Sequence, residues 1–259
     1  MKTARHVPGA PCWAELCTPD TAAAHAFYSD LFSWDRAFGD APPGAYVLLT
    51  MRDELIGGMK LAESEPSAIW EVYFTSEHLA STGNAVEAAG GRVVSPPTKV
   101  FDRGSAAYYV APDGGGFGAW QPDRHAGVSV MREPGALSWF ELSTPDTDRA
   151  VSFYTDVFDW TLTRHAFAGS SYIDLETRGG AVPFGGIMPL PADGIPIQWT
   201  PYFTAHSADA TAGRAADLGG SVISPPKTLA NIGRISMLRD PQGAAFSVIS
   251  RPGGGWTTA

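Results

Sequence analysis

WAELCTPDTAAAHAFYSDLFSW, residues 13–34, returns as WFELSTPDTDRAVSFYTDVFDW at residues 139–160. The offset is 126 (139 − 13) and 13 of the 22 positions are identical, where chance at ordinary composition gives roughly one or two. The match resumes at an offset of 129. Trp70, Tyr73 and Phe74 return as Trp199, Tyr202 and Phe203, Gly90-Gly91 as Gly219-Gly220, and Ser95-Pro96-Pro97 as Ser224-Pro225-Pro226. The residues gained fall on either side of Gly185-Gly186, in stretches that read as loops. One assembly is used twice, so a site occurs twice or lies between the copies. The expected domains are residues 1–125 and 126–259. Residues 122–134, which carry Asp123, Arg124 and His125, read as the linker.

Residues 13–18 alternate and are rich in strand formers; Pro19 ends them and Asp20 is placed as the N-cap of the next segment. From 21 to 32, Ala24, Phe27, Tyr28 and Leu31 fall at helical spacing. Residues 45–50 and 55–61 read as strands joined by a turn at Arg52-Asp53. A strand over 69–75 precedes a helix over 79–89, stopped by Gly90-Gly91. Strands recur at 92–95, 106–111 and 116–121. Ser95-Pro96-Pro97 reads as loop punctuation and Gly253-Gly254-Gly255 as a loose tail. Each copy is thus β-α-β-β, a loop, then β-α-β-β-β: one smaller unit used twice, four in the chain.

Apolar residues at 44% and charged residues at 17% of 259 describe a globular protein with ample core. The net charge is −9, and the 18 basic residues are scattered singly, which argues against a nucleic-acid partner. Residues 1–13 lack an apolar signal core and no stretch approaches a membrane span, so a cytoplasmic, reducing location is expected. Cys12 and Cys17, the only cysteines, point to opposite faces of an extended strand, against a disulfide between them.

This arrangement resembles the vicinal oxygen chelate superfamily of glyoxalase I, bleomycin-resistance proteins and extradiol dioxygenases. Four stretches carry the resemblance: Asp20/Phe27/Tyr28 with Asp146/Phe153/Tyr154, the helix ending in Gly-Gly before a strand, the turn Pro112-Asp113-Gly114 with Asp240-Pro241-Gln242-Gly243, and Gly57-Gly58 with Gly185-Gly186. More narrowly, the chain is similar to tandem two-domain actinobacterial proteins called hydroxylases. The resemblance implies an α+β fold: four βαβββ units forming two glyoxalase-like domains with cup-shaped mixed sheets.

Catalytic members of that superfamily hold a divalent metal in the cup. Carried over residue by residue, the ligand positions are Trp13 and Trp139 on the first strands, Glu71 and Thr200 on the second units, and Gly118 and Ser247 on the last strands; the Gly-Gly strand offers no acid. Indole and glycine do not ligate metal, and a catalytic site needs about three protein donors. His25 on a helix, His78 and His206 past strand ends, and His6, His125 and His165 in loops or edges read as structural or solvated. The expectation is therefore no metal and no cofactor.

If Trp13 faces the cavity, alternation turns Glu15 and Cys17 inward and Ala14 and Leu16 beneath the helix. The second copy gives Trp139, Glu141 and Ser143. Glu71 and Tyr73 face inward in one copy, Thr200 and Tyr202 in the other, with Trp120 beside Gly118 and Ile249 beside Ser247. Aromatic walls with a carboxylate at the base suit a flat apolar ligand. The alternative is that Trp13, Trp139, Trp70 and Trp199 simply fill their own core, or that a one-residue register slip turns Glu15 and Glu141 to solvent. The candidate ligand-binding residues are Trp13, Glu15, Glu71, Tyr73, Trp120, Trp139, Glu141, Thr200, Tyr202 and Ser247, with Glu15 and Glu141 as candidate catalytic acids. No nucleophile elbow, Walker loop or dinucleotide fingerprint is present, and Cys17 lacks a base partner.

Two functions fit. One is a metal-free protein that binds or sequesters a planar hydrophobic small molecule, as in antibiotic self-resistance or secondary metabolism. The other is a metal-independent tailoring hydroxylase or oxygenase acting on an aromatic polyketide-like substrate. The expected partner is a small hydrophobic or aromatic molecule, with neither nucleic acid nor membrane, bound by a monomer or homodimer.

Overall fold

A computed structural model describes residues 7–37, 45–62, 68–167, 170–180, 182–190, 196–230 and 232–251. The 253–255 tail and His6 lie outside these. In the first half, β1 (Pro11–Thr18) leads into α1 (Thr21–Phe32), β2 (Asp35–Arg36), β3 (Val47–Met51) and β4 (Glu54–Leu61). Then come β5 (Ile69–Thr75), α2 (Leu79–Ala88), β6 (Arg92–Val100), β7 (Gly104–Val110) and β8 (Gly116–Pro122). The order recurs as β9 (Leu137–Thr144), α3 (Thr147–Phe158), β10 (Thr161–Phe167), β11 (Ser170–Glu176) and β12 (Gly185–Pro189), followed by β13 (Gln198–Thr204), α4 (Ala208–Asp217), β14 (Ser221–Leu229), β15 (Gly233–Arg239) and β16 (Ala245–Ser250).

Local chemistry sets the boundaries. Asp20 caps α1 by accepting from the amides of Ala22 and Ala23, and Asp146 caps α3 through Arg149. The β3–β4 hairpin turns on Arg52 and Asp53, both at positive φ (53° and 63°), the twist such hairpins favour. Ser95-Pro96-Pro97 is not a loop: it lies within β6, and its repeat within β14. Both strands pair on one side only and shift register around the prolines. Proline lacks a ladder donor, and an edge strand with bulges is where a sheet tolerates it. The two-residue β2 has too little period to be read from sequence.

β1 pairs parallel with β4 and antiparallel with β5, and β5 pairs parallel with β8. The units of one copy therefore join each other, and β12-β9-β13-β16 repeats the arrangement. The helices cross over. Tyr28 of α1 packs on Phe246 of β16 (ring centroids 5.5 Å) and Tyr154 of α3 on Phe117 of β8 (5.3 Å). Phe32, Trp34 and Trp70 join Phe203 and Phe246 in one aromatic cluster; Phe158, Trp160 and Trp199 join Phe74 and Phe117 in the other. Each such pair adds about 0.5–1.5 kcal/mol beyond its buried area.

Residues 123–136 are tied down rather than trailing. The Val128 amide donates to the Cys12 carbonyl (2.9 Å), that of Ser129 to Leu55 (2.7 Å), and Val128 and Val130 are buried. Cys12 and Cys17 are free thiols, and burial pushes Cys12 up to about 12, leaving it protonated and inert. Among the described residues, no helix is long and apolar enough to cross a membrane.

Candidate functional site

Strand alternation divides β1. Ala14 and Leu16 are fully buried under the helix layer, while Trp13 and Glu15 face the hollow of the sheet. The antiparallel register sets Trp13 opposite Tyr73 and Glu15 opposite Glu71. Two carboxylates facing across strands repel, and the fold answers from the other side of β1. There the parallel register places Lys60 of β4 beside Cys17. Its ammonium reaches Glu15 Oε1 at 2.7 Å and Glu71 Oε2 at 2.8 Å.

Glu15 is saturated by partners. Besides Lys60, the Tyr73 hydroxyl donates to Oε1 (2.8 Å) and the Tyr46 hydroxyl to Oε2 (2.6 Å). Tyr46 in turn accepts from Trp13 Nε1 at 2.9 Å. Burial raises the Glu71 carboxyl above the ordinary glutamate value, against the opposing pull of Lys60. For Lys60, burial works to lower the pKa, and the two carboxylates more than reverse it.

Over this network lies a cavity of about 390 Å³, walled by Trp13, Tyr46, Tyr73, Trp120 and His125. The tryptophans meet the His125 ring edge-on, at centroid distances of 4.8 Å from Trp13 and 5.7 Å from Trp120. Phe101 and Arg103 enter from the β6–β7 turn. Gly118 lies on β8 directly under Tyr73, whose ring fills the space a Cβ would take. The hollow thus gathers Trp13, Glu15, Tyr73 and Trp120; Glu71 sits behind Glu15, outside the cavity lining. Trp70 belongs elsewhere, buried against Tyr28 (Nε1 to hydroxyl 3.0 Å), and Trp199 against Tyr154 (2.9 Å).

The second half repeats the frame with different charge. Glu141 accepts from Tyr202 (2.8 Å) and Tyr172 (3.0 Å), and Trp139 Nε1 donates to Tyr172 (2.9 Å). Thr200 stands opposite Glu141, where Glu71 stands opposite Glu15, and Met188 holds the register of Lys60. The anion and its cation are replaced together. Ser247, in the place of Gly118, sits beside Tyr202 and hydrogen-bonds it. Burial raises the Glu141 carboxyl above its ordinary value.

These donors do not fit a divalent metal. Lys60 occupies the charge-balancing place between the carboxylates, Tyr73 covers Gly118, and Trp13 offers indole. In the second half a single carboxylate has both oxygens taken by tyrosines. Among the described residues, no group of three or more His, Cys, Asp or Glu is disposed around a common point, short of the usual donor number.

Strand alternation and the family's ligand positions do not single out Tyr46, Lys60, Phe101, Arg103 or His125, which the structure places at the site. Tyr46 was detectable, since Tyr172 follows it at the opening repeat's offset of 126.

A profile of the Glyoxalase/Bleomycin resistance protein/Dioxygenase superfamily matches residues 136–248. "Putative glyoxylase CFP32" of Mycobacterium tuberculosis is 35% identical over 257 residues, covering 96% of this chain and 97% of its own. "Anthracycline biosynthesis protein DnrV" of Streptomyces peucetius is 31% identical, covering 95% and 94%. Among solved structures, the Mn(II)-bound glyoxalase from Novosphingobium aromaticivorans superposes with a TM-score of 0.66 at 18% identity, covering 94% of this chain and 82% of that one. The 2,3-dioxygenase LapB from Pseudomonas sp. KL28 gives 0.65 at 16%, covering 95% and 93%. The structural neighbours share the fold alone, whereas the two named relatives share sequence from end to end, and on that ground the chain belongs to the glyoxalase/bleomycin resistance protein/dioxygenase superfamily.

Proposed function

We propose that this protein binds a planar, hydrophobic small molecule in its first hollow without a metal, in the manner of an antibiotic- or secondary-metabolite-binding protein. The observation that carries this reading is the aromatic cavity of about 390 Å³ over a carboxylate whose oxygens are already engaged. Its size falls at the small end of ligand pockets, roughly 300–1,000 Å³, and its rings favour offset stacking. A carboxylate holding three donors is a rigid wall rather than a free base. The name of two relatives, anthracycline biosynthesis protein, supports a flat fused-ring ligand. Residues 1–125 and 126–259 are read as the two domains, the first carrying the aromatic cavity.

Titration with anthraquinone tests the reading through tryptophan fluorescence. Saturable quenching is expected, most of it lost when Trp13→Phe and Trp120→Phe are combined. Quenching that survives both substitutions places the ligand elsewhere.

The second reading is a metal-independent hydroxylase. It is favoured by the continuous chain Trp13–Tyr46–Glu15–Lys60–Glu71, which joins the cavity wall to a lysine side chain 34% exposed. Glu15→Gln separates the two. A binder loses about 0.5–3 kcal/mol of affinity; an acid–base enzyme keeps its affinity and slows roughly 100-fold or more.

A further inference from the structure

The aromatic cavity has one permanent cation among the described residues of its lining, Arg103. Its guanidinium makes no hydrogen bond or ion pair with any described residue. Asp102, next to it in sequence, is taken by Arg124 at 3.1 Å on the exposed surface. Glu15, the acid in the cavity wall, accepts from Lys60, Tyr73 and Tyr46. An ammonium-bearing ligand would therefore find the cavity's carboxylate already neutralised. An anion would find a fork of five N–H donors to which no described residue is bonded.

We infer that the ligand carries a carboxylate on the edge of its ring system, held by Arg103 while the rings lie among Trp13, Tyr73 and Trp120. The guanidinium plane matches a carboxylate in two parallel hydrogen bonds. Arg103 is half-buried beside aromatic walls, where such a bond is stronger than in open water. Two residues back, Phe101 holds a left-handed backbone (φ 49°) and a ring 85% exposed next to the same cavity. A bulky side chain rarely adopts that conformation, and a ligand anchored at Arg103 gives its ring a surface to cover. The repeat sets the second half apart: Ile232 stands for Arg103 and Ile249 for Trp120, so the demand for an anion belongs to the first hollow.

This deepens the binding reading and rests on it. The experiment uses two probes of one shape, anthraquinone-2-carboxylate and anthraquinone-2-carboxamide, titrated into the full chain by tryptophan quenching. The acid is expected to bind roughly tenfold tighter or better, a gap of the size one charge-assisted pair supplies. Arg103→Ala should abolish the preference, the acid losing roughly tenfold more affinity than the amide, and Arg103→Lys should restore part of it. Equal binding of both probes to the unmodified protein overturns the inference and leaves the aromatic site standing, as does a preference that survives Arg103→Ala. Failure of both probes to quench overturns the aromatic site itself, and the carboxylate anchor with it.

Discussion

The Tyr28 hydroxyl donates to Asp240 Oδ2 at 3.1 Å, across 212 positions of chain. The bond ties α1 to the turn before β16, where Asp240 also accepts from the amides of Gln242 and Ala244, both at 2.9 Å. The repeat puts Ala111 where Asp240 stands, so this anchor exists on one side of the molecule only.

Tyr28→Phe should therefore cost about 1.5–3 kcal/mol, the range for a hydrogen bond to a charged group. Tyr154→Phe, which removes the acceptor of Trp199 Nε1, should cost about 0.5–1.5 kcal/mol, as for a neutral pair. Urea denaturation of both variants checks the asymmetry. Equal losses would mean that Asp240 draws nothing from Tyr28.

Lys60→Met leaves two facing carboxylates without their cation. A fully buried pair broken this way costs about 3–5 kcal/mol. The Lys60 side chain keeps 34% exposure, which screens the charges and reduces the expected loss to about 2–3 kcal/mol. Adding Glu71→Thr recreates the Met188/Thr200 pairing of the second half and should recover more than half of that loss. A double-mutant cycle by chemical denaturation reads the coupling directly, and additive losses would refute it.

Burial holds the Glu141 carboxyl above its ordinary value of 4.5, so the folded protein binds that proton more tightly than the unfolded chain. The stability tied to Glu141 is fully present below pH 4.5 and is lost as pH rises through the raised value. Glu141→Gln keeps the shape and one acceptor oxygen for a tyrosine hydroxyl, and cannot ionise. The stability of the unmodified protein minus that of the variant should fall as pH climbs from 4.5 towards neutrality. A difference flat across that range would show that Glu141 titrates alike in both states.

The donor set predicts that protein purified without chelator holds substoichiometric zinc, manganese, iron and nickel by elemental analysis. Prolonged dialysis against EDTA should leave anthraquinone binding unchanged. One tightly held metal per chain, or binding abolished by the chelator, contradicts the reading.

The fold was legible because the chain repeats itself, and duplicated spacing fixes which segments are elements. The inward face of β1 was legible too: Trp13 and Glu15 follow from period-two alternation once Ala14 and Leu16 are placed under the helix. Lys60 was not, because its role depends on the parallel register with Cys17, and parallel pairing leaves no turn in the sequence to announce it. The trace it did leave is joint substitution, Lys60 to Met188 and Glu71 to Thr200, which a comparison of the two copies exposes. Tyr46 falls at the edge of the stretch read as a strand over 45–50, one residue before β3, and its repeat as Tyr172 is the one mark it leaves in the sequence. His125 lies in the connecting segment, and what brings it over the cavity is invisible in sequence: its amide donates to the Arg103 carbonyl (3.0 Å) and its carbonyl accepts from Trp120 Nε1 (2.7 Å).

The crossed packing of α1 onto β16 and of α3 onto β8 makes the duplication a ratchet. Each half contributes the helix that closes the other's aromatic cluster, so a gene trimmed back to one copy would encode a protein with an open seam. A backbone cut between residues 123 and 127 would sever the covalent link without parting the fragments. A single-copy forerunner with this packing would have had to live as a pair of identical chains, and fusing them freed each hollow to drift separately in charge while the helices kept them together.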